Sequence, residues 1–181
     1  MTSIKEQYQK TIVPALKKEL GYSNIWQLPR ILKVVLNVGL GAAATKDQKY
    51  VDAAVSTLRK ITGQHPVQTL SKQSISNFKI RQGQVVGLKV TLRGEKMYSF
   101  LEKFVHVTLP RIRDFRGLEQ KSVDHGGNLT IGMKENIAFP EIAADEVERI
   151  HGVEVTVVTT AKDRKEGLAL YRQLGIAFRT S

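Results

Sequence analysis

Apolar residues recur along this chain with two periods, and the period changes at glycines and prolines. Between residues 3 and 20, Ile4, Tyr8, Ile12, Ala15 and Leu16 return at three-to-four spacing, which predicts a helix kinked by Pro14 and ended by Gly21. "ILKVVLNV", residues 31–38, alternates instead: Leu32, Val34, Leu36 and Val38 on one side, Lys33, Val35 and Asn37 on the other, as in a half-buried strand. With Thr45 as N-cap, a second helix is predicted whose stripe is Val51, Ala54, Val55, Leu58 and Ile61 and whose stop is Gly63. "HPVQTLS" reads as a short strand. "VVGLKVTLRG" is the clearest strand, with Val86, Leu88, Val90 and Leu92 facing the core and Gly87, Lys89, Thr91 and Arg93 facing away. Residues 95–109 return to helical spacing through Met97, Leu101, Phe104, Val105 and Thr108, with Pro110 as the stop. "GNLTIGMK" and "VEVTVVTTA" read as strands, "AADEVERI" as a short helix between them, and "DRKEGLALYRQLG" as a closing helix ended by Gly175.

This order predicts an α+β fold, a two-layer sandwich of a mostly antiparallel sheet with helices packed on one face. At 181 residues and 41% hydrophobic content the chain suits one domain, 1–181, with a protruding loop at about 70–83. If the helices cover the apolar alternations, the opposite sheet face displays Lys33, Asn37, Lys89, Thr91 and Arg93 together. A solvated face ordinarily mixes charges and threonines; these two strands contribute cations and neutral hydrogen-bonding groups, and no carboxylate.

Charge sharpens this picture. Residues 1–94 carry 15 Lys+Arg against 4 Asp+Glu, and residues 95–181 carry 13 against 13, so the whole formal +11 lies in the first half. From Asp52 to Glu95 the chain runs 42 residues with seven cations and no carboxylate. Such a surface calls for an external polyanion, and neutralised phosphates reward it by releasing condensed counterions. An anionic membrane is the competing sink, but membrane-surface helices pair lysines with a broad apolar face, and this window reads as loop and strand. No apolar run approaches the roughly 20 residues that span a bilayer, and the first residues lack the form of a secretory signal. A cytoplasmic location is expected, and the absence of cysteine fits a reducing compartment.

Catalytic motifs are weak. "GLGAAATK" places Gly39, Gly41 and Ala44 in the permissive dinucleotide pattern, yet no acidic residue stands about 20 positions on to hold a ribose. A nucleotide-dependent enzyme built on this turn stays open as an alternative, as does a free-standing RNA-binding regulator. His65, His106, His125 and His151 are scattered, and no metal or other cofactor is expected. "VDHGGN" offers Asp124 beside His125 but no nucleophile, so a Gly-Gly turn entering a strand explains it better. Asp145, Glu146 and Glu148 read as the solvated face of a short helix.

The stretch "SKQSISNFKIRQGQVVGLKVTLRG" decides between a phosphate cradle and a polyanion track. A cradle ends at a helix N-terminus, where amides converge on one anion; this stretch ends in a strand. Lys72, Lys79, Arg81, Lys89 and Arg93 are too dispersed for one phosphate and suit several along a backbone. Ser74, Ser76 and Asn77 add neutral partners. Phe78 either stacks on a base or anchors the loop to the core.

Seven collinear segments, "LNVGLG", "ITGQHPV", "NFKIRQG", "KVTLRGEKMYSFL", "LPRIRDFRG", "GNLTIGMKENIAFPEI" and "VTTAKDRKEGLALYRQLG", resemble the bacterial ribosomal protein L5 (L-five) family of the large subunit. The resemblance covers nearly the whole chain. It implies a non-enzymatic protein of the central protuberance that holds 5S rRNA among the large-subunit rRNA, without small-molecule substrate or membrane. The family's RNA contacts fall here on Asn37, Gln64, Thr91 and Arg93, to which the polar sheet face adds Lys33 and Lys89. The family's long loop, here Leu70 to Gly83, reaches toward the P-site tRNA, which gives Lys72, Ser74, Phe78, Lys79 and Arg81 as contacts with tRNA or RNA backbone. A bridge to small-subunit ribosomal protein S-thirteen is implied around "RIRDFRG", with Arg111, Arg113 and Arg116. The chain departs from the family where lysines are common, at Leu70 and Gln73, and where small residues are common, at Ser76 and Asn77; this weakens the implied hold on tRNA.

Overall fold

The structure, a computed structural model, describes residues 4–41, 44, 47–113, 115–142 and 150–179. Helices α1 (Ile4–Gln7) and α2 (Val13–Leu20) lead to strand β1 (Ile31–Gly39). Then follow α3 (Gln48–Thr62), β2 (Val67–Leu70), β3 (Val85–Leu92), α4 (Gly94–Lys103), α5 (Leu109–Arg111), β4 (Leu129–Met133), β5 (Val153–Thr159) and α6 (Arg164–Gln173). The five strands form one sheet in the order β2-β3-β1-β5-β4, and the fold is α+β as the alternation of periods predicts. The short helix expected at "AADEVERI", with Asp145, Glu146 and Glu148, lies outside the described residues apart from Ile150.

Both prolines expected to bend or end a helix are accommodated by the same device. Tyr8–Ile12 is a π turn in which Val13 N–H bonds the Tyr8 carbonyl, and Phe104–Thr108 is another, closed by Leu109 N–H on the Phe104 carbonyl. Pro14 and Pro110 each stand two positions beyond these turns. Proline lacks an N–H and its ring crowds the carbonyl four residues back; a widened turn before it relieves that clash, so the chain stays helical. Helix therefore continues past Pro110 to Arg111.

Packing divides the chain into two compact units. The first takes in Met1–Val34, Leu92–Ile131 and Thr156–Ser181. There α1 packs on α4 and α2 on α6, and Leu16, Phe104, Leu129, Leu170 and Tyr171 are buried to 1% exposure or less. The Tyr171 hydroxyl lies 3.0 Å from the Gly127 carbonyl and 3.1 Å from that of Val157, so the buried phenol always has an acceptor. Burial pushes its pKa far above the ordinary tyrosine value.

The second unit takes in Val35–Thr91 and Gly132–Val155. Its core is the α3 stripe Val51, Ala54, Leu58 and Ile61 together with Leu36, Val38, Leu88, Val90, Val153 and Val155. Thr45 lies outside the described residues; the cap of α3 is Asp47, whose side chain accepts the Lys49 N–H at 2.9 Å. One strand expectation fails at its first position. Leu32, assigned to the core side of β1, is 45% exposed, and Ile31 is buried in its place at 6%. Burial alternates regularly only from Val34 onward; at the start of the strand Ile31 is covered and Leu32 is not, so burial there does not follow the period of two.

Candidate nucleic-acid interface

The polar face of the second unit is built from three strands and one turn. On β3, Leu88, Val90 and Leu92 are buried, Lys89 is exposed and Thr91 half-buried, so period two sends the apolar set inward and the polar set outward. Lys89 pairs across the ladder with Val67 of β2, itself 67% exposed, so this surface is open to solvent. Asn37, half-buried, stands on the neighbouring strand β1. Among the described residues the side chains of Asn37, Lys89 and Thr91 make no hydrogen bond or ion pair, which leaves their donors and acceptors for another molecule.

Gln64 joins this face through the end of α3. The Thr62 hydroxyl donates to the Leu58 carbonyl at 2.6 Å and accepts the Gln64 N–H at 3.2 Å, locking the turn that follows the helix. From there the Gln64 side-chain amide donates to the Thr91 carbonyl at 3.4 Å. The close fit of β1 against β3 depends on Gly87: a Cβ there would lie 2.8 Å from the Val38 carbonyl oxygen and 2.9 Å from Thr69 Oγ1.

Beyond Leu70 the expected loop is an ordered hairpin arm. Ser71 N–H bonds the Gln84 carbonyl at 2.8 Å, and Ile75 and Ile80 exchange both main-chain bonds at 2.9 and 3.2 Å. Ser74 Oγ accepts the Gln82 N–H at 3.0 Å, so this residue braces the arm while staying exposed. The tip is a single 3-10 turn, Ser76–Phe78, closed by Lys79 at φ 53°, a left-handed conformation that a non-glycine residue adopts at a cost. Lys72, Lys79 and Arg81 are exposed. Phe78 is 62% exposed and so is no core anchor; Ile75 at 43% stands near it in sequence. Leu70 and Gln73, the two positions without the family's lysines, are exposed as well.

The other predicted residues belong to the first unit. Lys33 lies half-buried on β1, on the odd-numbered side shared with Val35 and Asn37. Arg93 is exposed at the cap position of α4, and its side chain makes no capping bond. Arg111, Arg113 and Arg116 are exposed along and after α5. None of these arginines bonds or pairs with a described residue through its side chain.

The alternative catalytic motifs have structural roles. In "GLGAAATK" the Leu40 N–H bonds the Val86 carbonyl at 3.0 Å, while Ala42, Ala43, Thr45 and Lys46 lie outside the described residues. In "VDHGGN" the Asp124 carboxylate accepts the Asn128 N–H at 2.8 Å and the Asn128 side-chain amide at 2.9 Å, holding the turn into β4. Partial burial of Asp124 works to raise its pKa, but the bonds from Asn128 and the Gly126 main chain outweigh it and hold the carboxyl below its ordinary value. Gly127 has φ 72° and sits so close to the segment leading into α6 that a Cβ would approach the Ala161 Cβ to 2.5 Å and the Asp163 carbonyl oxygen to 2.9 Å. Among the described residues no His, Asp and Glu side chains cluster as a metal would need, and no helix is long and apolar enough to cross a membrane.

Known proteins are similar to this chain over nearly its whole length. The family model described as ribosomal protein L5 matches residues 24–81, and the model for the C-terminus of the same family matches residues 85–178. The chain belongs to the ribosomal protein L5 family. The "Large ribosomal subunit protein uL5" of Synechococcus sp. (strain RCC307) is 49% identical over 99% of both chains. Proteins of the same name from Symbiobacterium thermophilum and Mycoplasma pneumoniae are each 51% identical, over 98% and 97% of both chains. Ribosomal L5 proteins are structural, and this chain is not an enzyme. Within the L5 chain the junction between the two family models falls at residues 82–84, the return limb of the arm.

Sequence patterning missed the Gln64–Thr91 bond and the stretch 22–30. A side-chain donor and a main-chain acceptor 27 residues apart leave no periodic trace. The second omission carried a signal: Asn24 before Ile25 and Trp26 is the composition of a side-chain-capped turn, and Asn24 Oδ1 does accept the Trp26 N–H at 2.9 Å.

Proposed function

We propose that this L5 protein is a structural component of the cytoplasmic large ribosomal subunit that binds 5S rRNA and helps to attach it to large-subunit rRNA in the central protuberance. The observation that carries the reading is the face of Asn37, Gln64, Lys89 and Thr91: uncommitted amide, ammonium and hydroxyl groups of Asn37, Lys89 and Thr91 on strands, beside the Gln64 amide held on the Thr91 carbonyl, with no carboxylate among them. Amide and hydroxyl groups can meet ribose hydroxyls and base edges, and the ammonium can meet phosphate, the combination that folded RNA presents. Lys33 and Arg93 are assigned to the same rRNA. Rigid strands keep the ordering cost of binding low.

The arm serves a second contact, with the P-site tRNA. Lys72, Lys79 and Arg81 supply charge along it, Ser74 braces it, and Phe78 offers a ring to an exposed base or ribose. Neutral Leu70 and Gln73 leave this hold weaker than a lysine-rich arm would give. Arg111, Arg113 and Arg116 are assigned to the bridge with small-subunit protein S-thirteen. The chain works as one domain, since the boundaries between its two units fall inside strands β1, β3, β4 and β5 rather than in linkers.

The direct test is a gel shift of the purified chain with 5S rRNA, paired with co-sedimentation on large subunits. Binding and co-sedimentation are expected, without thermal stabilisation by NAD or ATP. Failure to retard 5S rRNA at low salt would overturn the rRNA reading, and binding without co-sedimentation would favour a free-standing RNA regulator.

A further inference from the structure

The only tryptophan of the chain, Trp26, is 84% exposed. An indole is a large apolar body that proteins normally cover, so its exposure calls for a physical reason. It is not a loose side chain on a loose loop. Asn24 Oδ1 accepts the Trp26 N–H at 2.9 Å, the Gln27 and Leu28 N–H groups close a 3-10 turn at 3.2 Å each, and Leu28 is 2% exposed beneath it. The Tyr8 hydroxyl fastens the next residue by donating to the Pro29 carbonyl at 3.0 Å. The ring is thus presented from a built turn.

Around it, Tyr8, Ile25, Trp26, Leu28, Arg30 and Tyr98 line a groove of about 410 Å³, all within the first unit. That volume lies in the range of ligand pockets, roughly 300–1,000 Å³. Its ionisable lining is cationic or phenolic: Arg30, whose side chain bonds no described residue, and Lys5, which is paired with Glu95 at the edge. Burial raises the Tyr8 pKa, with Tyr98 adding and Arg30 opposing, so the phenol stays neutral and a donor at physiological pH. Aromatic faces, a free guanidinium and no lining carboxylate suit a flat ring attached to a phosphate.

We infer that the Trp26 groove is a second RNA contact, in which an unstacked nucleobase lies on the indole while Arg30 meets its phosphate. Base–aromatic stacking needs no particular sequence, and the exposed Arg30 lies three residues before Lys33, already assigned to rRNA. The site rests on the rRNA reading only for the class of its partner; its geometry is independent of the Asn37–Thr91 face.

A single tryptophan makes the test specific. The full chain is titrated with a single-stranded oligoadenylate while indole emission is followed, in wild type and in Arg93→Ala. Saturable quenching is expected in both, even where Arg93→Ala has lost 5S rRNA affinity, which separates this site from the sheet face. Arg30→Ala should raise the half-saturation concentration several-fold, and Trp26→Ala should weaken binding of a labelled oligonucleotide about tenfold; Trp26→Phe should restore part of it. Position 26 is exposed, so neither change endangers folding. Absence of saturable quenching, quenching indifferent to Arg30→Ala, or an emission shift that follows protein concentration without RNA would each overturn the inference, the last in favour of self-association.

Discussion

Gln64, one residue past the glycine that ends α3, donates its side-chain amide to the carbonyl of Thr91 on β3, 3.4 Å away. The bond ties the helix layer of the second unit to the strand that carries the polar face, and it leaves the Thr91 hydroxyl free for a ligand. Gln64→Ala should therefore weaken 5S rRNA binding by about 1 kcal/mol, a typical single hydrogen-bonding contribution. Filter binding at fixed salt measures it. Unchanged affinity would remove Gln64 from the interface.

Arg93 has an exposed, uncommitted guanidinium at the start of α4. Its replacement by alanine should reduce 5S rRNA affinity by about 1–3 kcal/mol, as expected for a charged, directed contact. The folded state should barely respond, since the side chain makes no capping bond. An equal loss of thermal stability would mean that the arginine is structural.

The arm cations should act through charge rather than shape. Changing Lys72, Lys79 and Arg81 together to alanine should flatten the dependence of log affinity for tRNA on log salt by about 2–3, near one unit for each phosphate no longer neutralised. The 5S rRNA slope should change less. Equal flattening for both RNAs would refute the division of labour between arm and sheet.

Gly87 is a steric prediction. A methyl group there must displace the Val38 carbonyl or Thr69, so Gly87→Ala should destabilise the protein by about 1–3 kcal/mol, the usual cost of overpacking, despite the general benefit of removing glycine from a strand. Urea denaturation reads it out. A stabilised variant would show that β1 and β2 yield easily at this point.

Asp124 governs acid sensitivity at the turn into β4. Its folded-state pKa is depressed, so its contribution is present above the unfolded value and fades as pH falls through the folded one. Asp124→Asn should thus lower the urea midpoint at pH 7, by an amount that shrinks steadily as pH falls below the ordinary carboxylate pKa of about 4. A difference that does not vary with pH would assign the effect to packing alone.

What the sequence determined by itself was local and periodic. Alternation on β3 and the stripe on α3 named the buried Leu88, Val90, Leu58 and Ile61 because each depends on a repeat of two or 3.6 residues. The same alternation told which side of β3 would carry Lys89 and Thr91, and the collinear segments named the family. Tertiary structure decided whatever depends on neighbours distant in the chain. It set the cover that buries Ile31 and leaves Leu32 exposed, the wide turns that keep Pro14 and Pro110 within helices, and the Gln64–Thr91 bond. It also decided that Phe78 and Trp26 face solvent. An aromatic residue reads alike in sequence whether or not another element covers it, and only the folded chain determines where cover ends.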